Sequence, residues 1–178
     1  MEAAEREAPL EIPNPTEQAK LDHATITSAG RYVVCRLGAK RLAVAVDHVL
    51  EVRPMPRCAR MPGVADFVRG VANVRGEATY VIDLGELLAL ESDGDRANER
   101  MLLVKPPGQQ QAVGLAVDAV LDFALLTGAE VAGDDEGGEL AGFLCEVCRF
   151  EGEPLRVLDV EGLLGSGVIG EWAEGPRD

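Results

Sequence analysis

Aromatic residues are scarce: Trp, Tyr and Phe together make up 4% of the 178 residues. A core without large rings has to be assembled from Val, Leu and Ala, and branched aliphatics favour pleated surfaces. Histidine occurs only as His23 and His48, which leaves little for imidazole-based catalysis. The four cysteines stand at irregular spacing. They make no disulfide framework, and a reducing cytoplasm is the simplest setting. No apolar run reaches the roughly 18 residues that span a bilayer, so no direct membrane insertion is expected. The acidic N-terminus lacks a basic segment followed by an apolar one, so no signal peptide is expected either. Basic residues are also in deficit, 17 Lys and Arg against 31 Asp and Glu, for a formal charge of −14. That balance disfavours a nucleic-acid partner.

What charge there is lies unevenly. Residues 1–30 hold 6 acids and 2 bases, residues 31–90 hold 6 acids and 9 bases, and residues 91–178 hold 19 acids and 6 bases. The middle of the chain is mildly cationic and the rest anionic. Solubility accounts for much of this. A sharper reading has Arg53, Arg57, Arg60, Arg69 and Arg75 edging a surface that meets acidic partners.

The most informative positive feature is an internal repeat. Arg41-Leu42-Ala43-Val44-Ala45-Val46-Asp47-His48-Val49-Leu50-Glu51-Val52 is echoed by Val113-Gly114-Leu115-Ala116-Val117-Asp118-Ala119-Val120-Leu121-Asp122-Phe123, and aligning Val46-Asp47 on Val117-Asp118 gives an offset of 71 residues. Arg75-Gly76-Glu77 through Asp83-Leu84 is echoed by Glu151-Gly152-Glu153 through Asp159-Val160, at an offset of 76. Two echoes in one order imply a small β-rich unit present twice, a two-lobed body and not a solenoid.

Both copies share one grammar. Tyr32–Leu37 and Lys40–Val46 read as strands joined at Gly38-Ala39, with Gly at the first central position of a tight turn. Met101–Lys105 and Ala112–Val117 are their counterparts, joined by a longer loop at Pro106-Pro107-Gly108. A third strand follows near Leu50–Arg53 and near Leu121–Leu126. Three prolines then exclude helix from Pro54 to Gly63. Second hairpins pair Val68–Val74 with Glu77–Ile82 and Phe143–Phe150 with Glu153–Leu158, turning at Arg75-Gly76 and Glu151-Gly152. Each copy closes with a short helix. Asp83 and Glu86 form a capping box before Leu87, Leu88 and Leu90, and Asp159 caps a second helix that Gly165 ends. The expected fold is mainly β, a pair of small barrel-like sheets of five strands each with short helices. Residues 1–30 read as a mobile tail with a short helical piece near Glu17–Leu21. The folded domain spans 31–166, with a first lobe at about 31–90 and a second at about 100–166, and 167–178 is a C-terminal tail.

No catalytic constellation emerges. His48 reads as a surface turn residue. No segment ends in a phosphate-cradling Gly-Lys-Ser/Thr, and no Gly-x-Gly-x-x-Gly opens a helix. Cys145 and Cys148 have the spacing of a metal or redox pair, but they fall in an expected strand, where residues three apart point to opposite faces. Cys35 and Cys58 offer no second pair for zinc. The acids of residues 133–139 lack the alternating oxygen ligands of a calcium loop. Neither metal nor cofactor is expected.

The segment with a functional flavour is Gly70-Val71-Ala72-Asn73-Val74-Arg75-Gly76. An arginine at a hairpin tip presents a rigid fork of donors. Asn73 can bond the local backbone, and Glu51 on the third strand can hold the guanidinium in one rotamer. Spacing alone leaves two readings open, a recognition contact and an ordinary turn with a solvated arginine.

Taken together, Leu50-Glu51-Val52, Met61-Pro62-Gly63, the run Phe67-Val68-Arg69-Gly70-Val71-Ala72-Asn73-Val74-Arg75-Gly76 and Val81-Ile82-Asp83-Leu84 resemble the CheW family of chemotaxis coupling proteins. The resemblance extends from about Arg31 to Leu164. It implies a non-enzymatic adaptor of two five-stranded SH3-like β-subdomains. Such an adaptor joins the regulatory domain of a CheA-type histidine kinase to the cytoplasmic tip of methyl-accepting chemoreceptors. The resemblance also implies an ion pair between Arg75 and Glu51 beside a receptor groove, with Val49 and Asn73 near it. It implies a kinase-docking surface around Gly70, with Val71 and Met61. Tyr80 stands where the family usually has proline. That departure and the extended N-terminal tail both suggest a divergent member, alternatively a regulator in a pilus, gliding or other chemosensory pathway that binds the kinase without receptor coupling.

Overall fold

The structure, a computed structural model, describes residues 30–92, 94, 96–106, 108–126 and 143–165; at 145–149, 153 and 154 it describes the backbone. The first half of the chain forms β1 (Gly30–Leu37), β2 (Lys40–Ala45), a 3-10 turn (Val46–His48), β3 (Val49–Pro54), β4 (Val68–Val74), β5 (Glu77–Asp83) and the short helix α1 (Leu84–Leu87). The second half forms β6 (Arg100–Val104), β7 (Val113–Val117), β8 (Ala119–Leu126), β9 (Leu144–Phe150), β10 (Glu153–Leu158) and α2 (Val160–Gly165). Five strands and one closing helix per half match the grammar read from the repeat, and the fold is the mainly β, two-sheet architecture expected.

The halves do not fold as separate lobes. One sheet runs β8-β1-β2-β10-β9 and the other β3-β6-β7-β5-β4, so each takes strands from both halves. This corrects a first lobe at 31–90 and a second at 100–166. The physical reason lies in the third strands: β3 leaves its own hairpin to pair with β6, and β8 crosses back to pair with β1. Advancing each strand number by five turns one sheet's order into the other's. The two sheets are therefore pseudo-equivalent, related by exchange of the halves.

That relation reaches individual residues. β3 and β8 both carry a bulge, where Leu50 and Leu121 are the extra residues. The hairpin turns at Arg75-Gly76 and Glu151-Gly152 both place two successive residues at positive φ: 55° and 87° in the first, 51° and 83° in the second. Those signs define a type I′ turn, whose twist matches the flanking strands. Asp83 and Asp159 both donate their backbone N–H to a carbonyl just before a strand, at Phe67 and Phe143, with N···O of 2.7 Å each. Asp83 Oδ1 accepts the N–H of Glu86 at 3.1 Å, and Asp159 Oδ1 that of Gly162 at 2.8 Å. Only half of the expected capping box forms at Asp83, because Phe67 O already occupies the N–H that Glu86 would have accepted.

α1 is shorter than expected and stops before Leu88. Ala89 takes φ of 52°, and the bonds Leu90 N–H to Gly85 O and Ala89 N–H to Glu86 O close the helix with a left-handed cap. A continuous core of Val33, Leu42, Val44, Ile82, Leu102, Leu115 and their neighbours lies between the sheets. Each sheet also wraps a smaller core, around Val34, Leu155 and Val157 in one and around Val74, Val81 and Met101 in the other. The tails, the helical piece near Glu17–Leu21 and the acidic run 133–139 lie outside the described residues.

Candidate functional site

β3 and β4 are the two ends of their sheet. The turn after β4 swings Arg75 back to β3, where its Nη2 stands 2.9 Å from Glu51 Oε2. The same carboxylate is approached from the other side by Arg53 Nη1, 3.7 Å from Oε1. Arg75 is 76% exposed and Glu51 24%. The acid is thus an anchor within the sheet and the guanidinium its solvent-facing partner. Glu51 Oε2 lacks an aligned donor, so the contact is a close ion pair and not a directed hydrogen bond. A pair this exposed adds under about 1 kcal/mol to stability; what it does is hold the guanidinium in place. Asn73 supports it as expected, since its Oδ1 accepts the N–H of Gly76 at 2.8 Å across the turn.

Val49 is not brought to this pair. The bulge at Leu50 lets Val49 and Glu51 face consecutive partners, Val104 and Leu103. Successive residues on a strand point to opposite faces. Val49 accordingly packs against the core between the sheets, while Glu51 looks the other way. The bulge residue itself, Leu50, is left 60% exposed.

Gly70 is buried, not at the surface. Its φ is +136°, and a Cβ there would stand 2.1 Å from the carbonyl oxygen of Ala59. The proline-rich loop after β3 crosses at this point, with Ala59 and Val71 exchanging both backbone hydrogen bonds at 2.8 and 2.9 Å. Gly70 is therefore the gap that lets the loop cover the edge of β4, and Val71 is half-buried beneath it. Met61, in the same loop, lines an open groove of about 680 Å³ together with Met55, Cys58, Arg60, Arg69 and Glu99.

Arg69 is not part of a free cationic edge. Its Nε and Nη2 donate to Asp83 Oδ2 at 2.9 and 2.6 Å, and Nη2 also pairs with Glu99 Oε1. Burial alone would lower its pKa, but the bonds to Glu99 and Asp83 outweigh this and hold it above the ordinary arginine value. The network ties β4, the cap of α1 and the segment before β6 together. Sequence reading missed it because Asp83 and Glu99 lie in segments far from Arg69 in the chain.

His48 stands in the 3-10 turn, as expected of a turn residue, and is half-buried there. Its ring is 19% exposed, with Nε2 3.1 Å from Glu161 Oε1 on α2 and Nδ1 buried. Asp118, the echo of Asp47, is buried and accepts the Gly38 N–H at 2.7 Å and the Ser92 hydroxyl at 2.9 Å. It pins the first hairpin to the link between halves. Cys145 and Cys148 lie on β9, as the strand reading required; their side chains are outside the description. Among the described residues, no three of His, Cys, Asp or Glu gather as metal ligands, and no helix is long and apolar enough to cross a membrane.

The family model described as CheW-like domain matches residues 31–168. The chain belongs to the CheW-like family. Among its relatives, Chemotaxis protein CheW of Klebsiella aerogenes is 26% identical over 142 residues, covering 79% of this chain and 84% of that one. Protein FrzA of Myxococcus xanthus is 30% identical over 132 residues, covering 72% and 81%. The crystal structure of scaffolding protein TtCheW from Thermoanaerobacter tengcongensis superposes with a TM-score of 0.66 at 22% identity, covering 77% of this chain and 93% of that chain. The last likeness is one of fold.

Proposed function

We propose that this protein is a non-enzymatic chemotaxis adaptor that joins a CheA-type histidine kinase to the cytoplasmic tip of chemoreceptors in the cytoplasm. Membership of the CheW-like family supports the class of function. The observation that carries the site is the Arg75–Glu51 pair, a solvent-facing guanidinium held at 2.9 Å by an acid from the opposite end of its sheet. Arg75 is the receptor contact, Glu51 orients it, and Asn73 stiffens the turn that carries it. Val49 contributes from behind, by packing β3 on the core. The kinase surface is the loop that covers Gly70 and Val71 and includes Met61, so Gly70 acts by seating that loop and not by touching the kinase.

The test is binding of the purified chain to a receptor hairpin and, separately, to the kinase regulatory domain. Arg75→Glu is expected to weaken receptor binding at least tenfold while kinase binding and thermal stability hold. Receptor binding at wild-type strength in a folded Arg75→Glu protein would remove Arg75 from the contact.

A further inference from the structure

Histidine is the side chain whose ordinary titration falls between pH 5 and 8, and His48 is the one histidine among the described residues. It ends the 3-10 turn that leads directly into β3, three residues before Glu51. Its carbonyl accepts the Lys105 N–H at 2.9 Å, which ties the turn to the end of β6. Its ring reaches across to the other half of the chain, where Nε2 stands 3.1 Å from Glu161 Oε1 in the first turn of α2.

The repeat marks this contact as belonging to one side of the molecule. The positions that repeat His48 and Glu161 are Ala119 and Gly85. Neither has a side chain that could make the link, and β8 follows β7 without it. The tie from turn to helix is therefore an addition to the shared fold and not a condition of it.

The two ring nitrogens have unlike surroundings. An ionised carboxylate only accepts, so the proton of the neutral ring sits on Nε2 and is donated to Glu161. Nδ1 is buried and has no hydrogen-bond partner. A second proton would turn it into a buried N–H without an acceptor and would bring a positive charge to the same place, both of which are costly. The carboxylate returns little, because the Glu161 side chain is 58% exposed and solvent screens the attraction. The elements around the turn carry Arg31 and Arg36 on β1, Asp47 within the turn, Glu51 and Arg53 on β3, Lys105 after β6, and Asp159 and Glu161 at α2. Glu51 is engaged by Arg53 and Arg75, Asp159 caps α2, and Asp47 is exposed. Glu161 is the charged group that reaches the ring.

We propose that the His48–Glu161 contact is a pH-sensitive latch. With the ring neutral, it fastens the start of β3 to α2. Protonation drives the ring from its seat, frees the turn and loosens the strand that carries Glu51. The sign follows from counting protons. The latched ring holds one proton, while the released ring, now in water, takes up a second as pH falls through the ordinary histidine range near 6.5, so acid favours release. Between pH 7.5 and 5.5 the ratio of released to latched form rises about tenfold.

The latch does not depend on the receptor reading, and its test uses the purified full chain alone. Native-state amide exchange at residues 49–51 and 161–164, corrected for the intrinsic effect of pH on exchange, should quicken about tenfold from pH 7.5 to pH 5.5. The central strands, read at Leu102 and Leu115, should not follow. His48→Gln keeps an N–H donor near the place of Nε2 and takes up no proton, so its exchange at the same amides should stay level. Glu161→Ala removes the acceptor and should exchange fast already at pH 7.5. Exchange that ignores pH in the wild-type chain overturns the latch. So does an equal acceleration in His48→Gln, which would assign the effect to carboxylates, and so does slower exchange in acid, which would mean that protonation tightens the contact.

Discussion

Glu51 and Arg75 stand 24 positions apart in sequence on strands at opposite ends of one sheet, yet their side chains meet at 2.9 Å. The pair spans the gap between the sheet's two edges, where no backbone ladder runs. Glu51→Gln should therefore lower stability only slightly, by under about 1 kcal/mol in urea denaturation. It should nonetheless free the guanidinium, and receptor affinity should fall with the fold unchanged. A stability loss several times larger would make the pair a structural strut instead.

Gly70 gives a sharper outcome. Gly70→Ala places a Cβ against the Ala59 carbonyl at a backbone angle that L-residues avoid. The loop has to lift, and a loss of roughly 2–4 kcal/mol is expected in equilibrium unfolding. Faster amide exchange at Ala59 and Val71 should accompany it, since their mutual hydrogen bonds are what the clash breaks.

Ala89 offers the opposite sign. Its φ of 52° closes α1, and glycine adopts that conformation without a Cβ penalty. Ala89→Gly should raise stability by about 1 kcal/mol, read as a higher urea midpoint at unchanged slope.

Cys35 yields a pH dependence. Burial pushes its thiol up to about 12, against 9.0 for the free group. Between those values the unfolded chain loses a proton that the folded chain keeps, so stability is complete below about pH 9 and falls as pH rises toward 12, by about 1.4 kcal/mol per unit. Cys35→Ala should be less stable at neutral pH and lose less above pH 9; parallel profiles for the two proteins would show that the thiol does not contribute. At neutral pH, Cys58, which is half-buried where Cys35 is fully buried, should be alkylated well before Cys35 in the native protein.

Much of the fold was legible because it is local. Alternation of apolar residues set the strands, Gly38 and the Arg75-Gly76 step set the turns, and Asp83 and Asp159 announced the helices through chemistry acting within three residues. The Arg75–Glu51 pair was also within reach, since an arginine at a hairpin tip needs an acid and β3 supplies one. The repeat revealed that one unit occurs twice. It could not reveal how the two copies combine, because a strand that pairs within its own half and one that crosses to the other present the same alternation.

The long-range features were hidden for a common reason. Leu50 carries no mark of a bulge, yet that extra residue sends Val49 and Glu51 to opposite faces. Arg69 looks like one more surface cation until Asp83 and Glu99, from distant segments, close around it. Gly70 reads as a flexible or exposed position until the loop carrying Ala59 is laid over it. Composition and period thus determined by themselves a β-rich body with a mostly aliphatic core, two copies of one strand grammar, and a charged tip at each second hairpin. Strand exchange between the halves and the burial of Gly70 were decided by tertiary structure, because hydrogen-bond partners across a sheet and the sterics of crossing loops depend on which segments meet and not on what any one segment contains.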